Sequence, residues 1–450
     1  MAARRPHIIN LPISCAPRKA PCPTCGRLGR RKQVLARKAR TLEYRRIVYL
    51  DITYGEYRAR CGCCTTFRTH PPGVGLRDRY DDKVRRAVLD RILDDRMSVE
   101  AALASLRRDF LLELSDGFVY DCLRDHAQSL DMADYRRWTL EGFGGTLCVD
   151  ELHLGRFTLL LATDPLRDRP VAFALVDKND ADHMRRFLKN LKAHGFAPQV
   201  VITDGSNLYP ALLAELWPEA RHQLCVFHVL KEINAKVLEV VRRLRRQMAR
   251  RGNRGRKRKR GRPAKSRAKR TGLTNKEKAR YVFKRRYLIV KRRDNLTDQE
   301  REDLATMLTY LPELETLRAF ADQLYGLFED GQSTPEAEGR RSELLRSAAF
   351  AAVPELASAM KMLSEEKFAK MIAFLASPAG RRVRTNNHVE RTNRRLRFLE
   401  KVRYKWRRRR TIVRFVVLIL DRWRRANPGK PTPPVREPGL AKPADDPKGA

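Results

Sequence analysis

Acidic residues are scarce in this 450-residue chain: 53 Asp and Glu stand against 95 Lys and Arg, a formal net charge of +42. An imbalance that large is self-repulsive without a polyanionic partner, and nucleic acid is the leading one. Long apolar runs are also lacking. The closest, TIVRFVVLIL at 411–420, is short and carries Arg414, whereas a bilayer span needs roughly 20 apolar residues. Residues 1–20 hold two early arginines and no continuous apolar segment, so no secretory signal, no membrane partner and a cytoplasmic location are expected. The 42% hydrophobic content rules out a disordered polycation, and the length allows roughly two to four domains.

Five of the nine cysteines fall between Cys22 and Cys64, in CPTCG and CGCC. Clustering of this kind in a cytoplasmic chain points to metal before disulfide. Cys22 with Cys25 and Cys61 with Cys64 form two C-x-x-C hooks, which supply the four thiolates of a structural Zn²⁺ site. Cys63 is then the spare, and a pairing through Cys63 stays open. Between the hooks, TLEYRRIVYLDITYGEYRARC alternates as strands around a turn, the pattern of a zinc ribbon with a long hairpin. Helical spacing follows in DDKVRRAVLDRILDD and SVEAALASLRRDF, and Ser115 caps a third helix, DGFVYDCLRDHA. Three short helices after a ribbon suggest a helix-turn-helix DNA-binding module; a plain spacer bundle is the alternative.

From residue 146 the pattern changes to strands. TLCVDELHLG, FTLLLATD and RPVAFALVD read as an antiparallel meander, ADHMRRFLKNLKAHG as a helix, PQVVITDGSNLYP as a buried strand, ALLAELW as a helix and RHQLCVFH as a last strand. The order β-β-β-α-β-α-β-α describes an α/β mixed sheet, that of an RNase H-like fold. Asp150 ends the first strand in this reading and Asp204 the fourth, which makes them neighbours. Two adjacent acids repel unless a cation joins them. Mg²⁺ or Mn²⁺ suits such oxygens, and a pair of ions stabilises both the attacking and leaving oxygens of phosphoryl displacement. For a third acid, RTNNHVERTNRRLRFLEK at 384–401 places Glu390, Asn393, Arg394 and Arg397 on one helical stripe, a carboxylate beside DNA-binding groups. Spacing alone does not choose Glu390 over Glu313, Glu329 or Glu400.

VDE at 149–151, ITDG at 202–205, CVFH at 225–228 and TNNHVERTNRRLR at 385–397 together resemble bacterial insertion-sequence transposases of the DDE class. More narrowly, they resemble the zinc-ribbon group related to Mutator-like transposases. The resemblance implies Asp150, Asp204 and Glu390 as the metal-binding catalytic triad, with a helical insertion between the second and third. It further implies double-stranded DNA as partner at both element ends and target, a homodimer or higher oligomer, and a nucleoid-associated location. The C-x-x-H pair Cys225 and His228 recurs in that group; two ligands do not complete a zinc site, and its role stays open between core packing, structure and DNA contact.

Seventeen of the thirty residues at 241–270 are Lys or Arg, so this stretch is expected to be disordered without DNA. Within it KRGRP resembles an AT-hook, with Arg260 and Arg262 entering a narrow minor groove; a nonspecific phosphate-binding loop is the alternative. The expected organisation is a zinc ribbon at 1–75, helix-turn-helix at 76–130, first part of the core at 143–240, and basic loop and helical insertion at 241–375. The last part of the core with Glu390 follows at 376–425, then a proline-rich disordered tail at 426–450. The function this predicts is metal-dependent cleavage at element ends and strand transfer into target DNA. A non-catalytic transposase-derived regulator and a structure-specific nuclease are the rivals.

Overall fold

The computed structural model describes residues 7–251, 272–403 and 406–427. Its N-terminal sheet contains β1 (Ile8–Cys15), β2 (Lys19–Pro21), β3 (Leu28–Thr41), β4 (Ile47–Arg58) and β5 (Thr66–Arg68). β4 is the hub: it pairs in parallel with β1 and antiparallel with β3 and β5. The hairpin foreseen between the cysteine hooks therefore starts earlier, in the basic run LGRRKQVLARKART. That run hides its strand character because Arg30, Arg31, Lys32 and Lys38 all stay in solvent, while Ala39 packs with Leu50 and Ile52 of β4.

Four helices follow: α1 (Asp82–Leu93), α2 (Val99–Phe110), α3 (Asp116–Ser129) and α4 (Met132–Glu141). Asp81, Ser98, Ser115 and Asp131 each cap one by accepting backbone N–H bonds from its first turn, which satisfies donors the helix itself leaves unpaired. Their apolar faces share one core with Leu152 and Leu154 of the second sheet and with Trp406 and Phe415. The three-helix module is therefore built into the body of the protein.

The second sheet contains β6 (Thr146–Leu154), β7 (Phe157–Asp164), β8 (Arg169–Val176), β9 (Val200–Thr203) and β10 (Arg221–Leu224), in the order β10-β9-β6-β7-β8. β6, β7 and β8 form the antiparallel meander, and β9 and β10 add in parallel beside β6. Gly155, at φ +61°, opens the two-residue turn between β6 and β7, where a left-handed residue matches the twist of the strands. On one face lie α5 (Ala181–Ala193) and α6 (Tyr209–Leu216), packed on Leu147, Val149 and Leu160. On the other, Val389 packs on Cys148, Leu161 and Ile202. This is an RNase H-like core, a mixed sheet covered by helices on both faces.

After β10 the chain enters α7 (Val226–Arg251), a helix of 26 residues. The basic run was expected to be unstructured from residue 241, but its first part continues α7: Val240, Val241 and Met248 keep the apolar stripe going, and the cations Arg242, Arg246 and Arg250 occupy the exposed side. Arg260 and Arg262 lie outside the described residues, as does the tail beyond 427. The insertion continues through α8 (Asn275–Arg285), α9 (Asp298–Tyr310), α10 (Leu314–Gly326), α11 (Thr334–Arg346), α12 (Ala348–Ala351), α13 (Pro354–Met360) and α14 (Glu365–Met371). These helices and α7 bury a separate core that includes Ile233, Phe320, Phe328 and Phe368. The chain then returns to the sheet as α15 (Asn387–Val402) and closes with α16 (Arg409–Ala426). Trp406 stacks on Phe415 at 5.0 Å, so this aromatic serves the core.

Candidate functional site

Parallel pairing of β6 with β9 sets the first two acids side by side. The register runs Thr146 to Val200, Leu147 to Val201 and Cys148 to Ile202, and two residues further along each chain stand Asp150 and Asp204. β9 stops at Thr203, while β6 continues against β7 to Leu154. Asp150 therefore lies in mid-strand, not at the strand end expected from sequence, at the point where its neighbour gives out. Asp204 also closes a local turn, accepting from the Ser206 backbone N–H at 2.9 Å, the ordinary behaviour of Asp in an Asp-Gly turn.

Carboxylate oxygens of Asp150, Glu151 and Asp204 lie within 4.8 Å of one another. Successive strand residues point to opposite faces, so Asp150 shares the Cys148 side with α15 and Glu151 the Val149 side with α6. There the Tyr209 hydroxyl donates to Glu151 Oε1 at 2.7 Å. Glu151 stands next to Asp150 in the same VDE motif, yet the sequence reading gives it no role; strand alternation places the two on opposite faces, so pattern alone does not bring Glu151 to the cluster.

Glu390 is outside that trio but close enough to act on it. Burial pushes the Asp150 carboxyl up from the usual range to about 7, and the negative charges of Glu151, Asp204 and Glu390 push the same way. Burial likewise raises Glu151. Desolvated acids that repel one another suit a hard divalent cation, which favours the ionised form of each. Asn393, read from sequence as a DNA contact, is instead buried and donates to Asp150 Oδ2 at 2.9 Å, because its position on α15 faces the sheet. Arg394 is exposed, and Arg397 is half-buried, donating to Glu400 at 3.0 Å. Of the other acids considered, Glu400 is held in that pair and Glu329 pairs with Arg340 at 2.9 Å. Glu313 begins α10.

Cys225 is buried and His228 half-buried at the start of α7. His228 Nε2 stands 3.6 Å from Glu390 Oε1. His222, in β10, meets the Thr203 hydroxyl at 2.8 Å.

Near the start of the chain, the cysteines form a second centre. The Sγ atoms of Cys22, Cys25, Cys61 and Cys63 lie within 4.8 Å of one another. Cys64, expected as the fourth ligand, is 3.8 Å from Cys22, so both thiols of the Cys63-Cys64 pair reach the cluster and the compact four contain Cys63. The loop after the first hook folds back through a Gly26 N–H to Cys22 carbonyl bond of 2.9 Å, with Gly26 at φ +75°. Hydrogen bonds from the Cys25 and Thr24 backbone lower the Cys22 thiol to about 6, which favours the thiolate a metal requires. Both centres thus have donor sets able to hold a metal ion.

No curated protein matches this sequence. The solved Drosophila P element transposase strand transfer complex matches at 12% identity over 77% of this chain and 80% of that one, with a TM-score of 0.25. Among the described residues, no helix is long and apolar enough to cross a membrane. The family model of the ISL3-type DDE transposases matches residues 147–411. That match covers more than half of the chain, from β6 through α15 to the start of α16, and the chain belongs to this transposase family.

Proposed function

We propose that the protein cuts and joins DNA with Asp150, Asp204 and Glu390 as its triad. These residues would hold Mg²⁺ or Mn²⁺, as a pair of ions. The observation that carries this reading is the clustering of Asp150, Glu151 and Asp204 oxygens within 4.8 Å, with Glu390 of α15 near enough for its charge to act on Asp150, in a strongly basic protein. When bound, the cations supply Lewis acidity to the attacking and leaving oxygens of an in-line phosphoryl displacement. The chain's own residues do the rest. Asn393 orients Asp150, and Glu151, held by Tyr209, adds charge to the cluster from the opposite face.

The phosphate backbone is held by exposed cations on α15 beside this point and further away along α7. Arg394 stands one turn beyond Glu390 on the solvent side of α15, and Arg242, Arg246 and Arg250 line α7. Phosphate contacts of this kind give affinity and register without reading sequence. The cysteine cluster would hold Zn²⁺, which would cross-link the two loops that carry it in the N-terminal sheet. That sheet, with the cations of β3, and the α1–α3 helices supply further DNA contacts. Recognition of two element ends and one target calls for a homodimer or larger assembly, acting in the cytoplasm at the nucleoid.

The test is cleavage and joining of labelled DNA carrying the flanking element ends, in Mg²⁺ or Mn²⁺, by wild type and by Asp204→Ala. The expected result is that wild type cuts and joins, and that the variant binds DNA but does neither. Cutting without joining would make the protein a nuclease, and equal binding with no reaction by either protein would make it a regulator.

A further inference from the structure

Among the described residues the C-x-x-H pair belongs to no cluster of three metal-donor side chains, yet it sits among the three acid-bearing segments. Cys225 N–H donates to the carbonyl of Thr203, the residue before Asp204, at 2.8 Å. Its Sγ accepts the backbone N–H of Asn386 at 3.2 Å, a contact between residues 161 apart in sequence. Asn386 Nδ2 in turn donates to the carbonyl of Val149, the residue before Asp150, at 3.1 Å. The Asn386 carbonyl then accepts from Glu390 N–H at 3.1 Å. One buried chain of four hydrogen bonds therefore joins the backbone beside Asp204, beside Asp150 and at Glu390. Val226 N–H closes the same contact from the next residue, donating to Arg384 at 3.0 Å.

Two features mark this as more than packing. Asn386 holds the position that caps α15, where an Asn side chain normally accepts from the first turn, yet it makes no such bond. Its amide is committed to the sheet instead, and Oδ1 is left buried without a hydrogen-bond partner among the described residues. His228 completes the arrangement from the next turn of α7, with Nε2 at 3.6 Å from Glu390 Oε1, an oxygen that is itself buried and unbonded. That separation is longer than a hydrogen bond, a gap that a small side-chain adjustment closes.

We infer that Cys225, Asn386 and His228 are positioning residues that hold the third carboxylate in register with the first two across the helical insertion. The need is physical. Two acids stand on adjacent strands whose pairing fixes them, but Glu390 arrives on a helix after the whole insertion, and no strand pairing sets its place. A small buried sulfur accepts the N–H while letting the two backbones approach closely, and an amide reaching the sheet locks the helix start. The inference rests on the triad reading above.

The test uses the full chain with Asn386→Ala, Cys225→Ala, Cys225→Ser, His228→Gln and Glu390→Gln. Three quantities are measured: Mn²⁺ affinity by electron paramagnetic resonance, kcat and KM for cleavage of element-end DNA, and Tm. Loss of groups that orient metal ligands typically costs 10- to 100-fold in affinity or activity, and we expect roughly that loss of both Mn²⁺ affinity and kcat in Asn386→Ala and Cys225→Ala. KM for DNA should stay within about twofold, because Cys225 and Asn386 are buried away from the surface DNA would meet. Cys225→Ser, which keeps an acceptor, should recover most of the Cys225→Ala loss, and His228→Gln, which keeps a donor, should stay within about tenfold of wild type. Wild-type Mn²⁺ affinity and kcat in Asn386→Ala and Cys225→Ala at unchanged Tm would overturn the inference. Should those variants not fold, hydrogen exchange of wild type decides: Mn²⁺ should slow exchange at 387–390, and no change there would count against the junction. Glu390→Gln separates the two readings. An active Glu390→Gln overturns the triad, whereas an inactive one beside unimpaired Asn386→Ala and Cys225→Ala overturns the junction alone.

Discussion

Asn393 on α15 donates its amide to Asp150 on β6 at 2.9 Å, which fixes one carboxylate oxygen of the cluster and takes Asn393 out of the solvent. Asn393→Ala should therefore lower cleavage by roughly 10-fold or more while leaving DNA affinity within about twofold. Fluorescence anisotropy alongside the cleavage rate checks this. A large loss of DNA affinity with normal turnover of bound DNA would restore the residue to the DNA interface.

Asp150 yields a pH prediction. Its carboxyl is raised from 3.8 to about 7, first by burial and then by the neighbouring acids. In the metal-free protein the folded state therefore holds this proton more tightly than the unfolded chain does. The stability it contributes is full below about 4 and is lost as pH rises through about 7. Wild type minus Asp150→Asn isolates this contribution in thermal melts, and metal-free wild type should gain relative to the variant on acidification. Cation binding needs the ionised form, so Mn²⁺ should bind more tightly with rising pH and release a proton, read by calorimetry in buffers of different ionisation enthalpy.

Gln223 joins the catalytic sheet to the insertion. It is fully buried; its amide donates to the Leu224 and Met371 carbonyls at 2.6 and 2.8 Å, and its oxygen accepts Phe374 N–H at 2.7 Å. Gln223→Ala strands two insertion backbone groups, at a cost on the order of 2–5 kcal/mol. Urea unfolding should report that loss, and limited proteolysis should cut first in α14 and the segment after it.

At the thiol cluster, Cys22→Ser and Cys61→Ser should abolish bound zinc, measured by plasma mass spectrometry. Cys63 belongs to the compact four and Cys64 does not, so Cys63→Ser should lower zinc content more than Cys64→Ser. The reverse order would restore Cys64 as the fourth ligand.

Much of the core was legible because its signals are local. The β6–β8 meander follows from apolar runs and turn residues, and α1–α3 from helical apolar spacing, with the Ser115 cap marking the start of α3. What escaped was set at long range. β1 gave no sign of its parallel pairing with β4, and the start of the basic run reads as disorder until α7 supplies an apolar stripe for it to continue. At the site, Asp150 and Asp204 follow from strand order. The partners of Asn386, Asn393 and Cys225 lie on segments 161 to 243 residues away, beyond any local pattern.

The central claim is that the acids of β6, β9 and α15 make one cation-binding centre. The most direct measurement is the Mn²⁺ affinity of the full chain at pH 8, for wild type against Asp150→Asn, Asp204→Asn and Glu390→Gln, with Tm recorded for each. The account predicts binding by wild type and at least roughly tenfold weaker binding by every variant, with folding retained. Affinity unchanged by all three substitutions would contradict it.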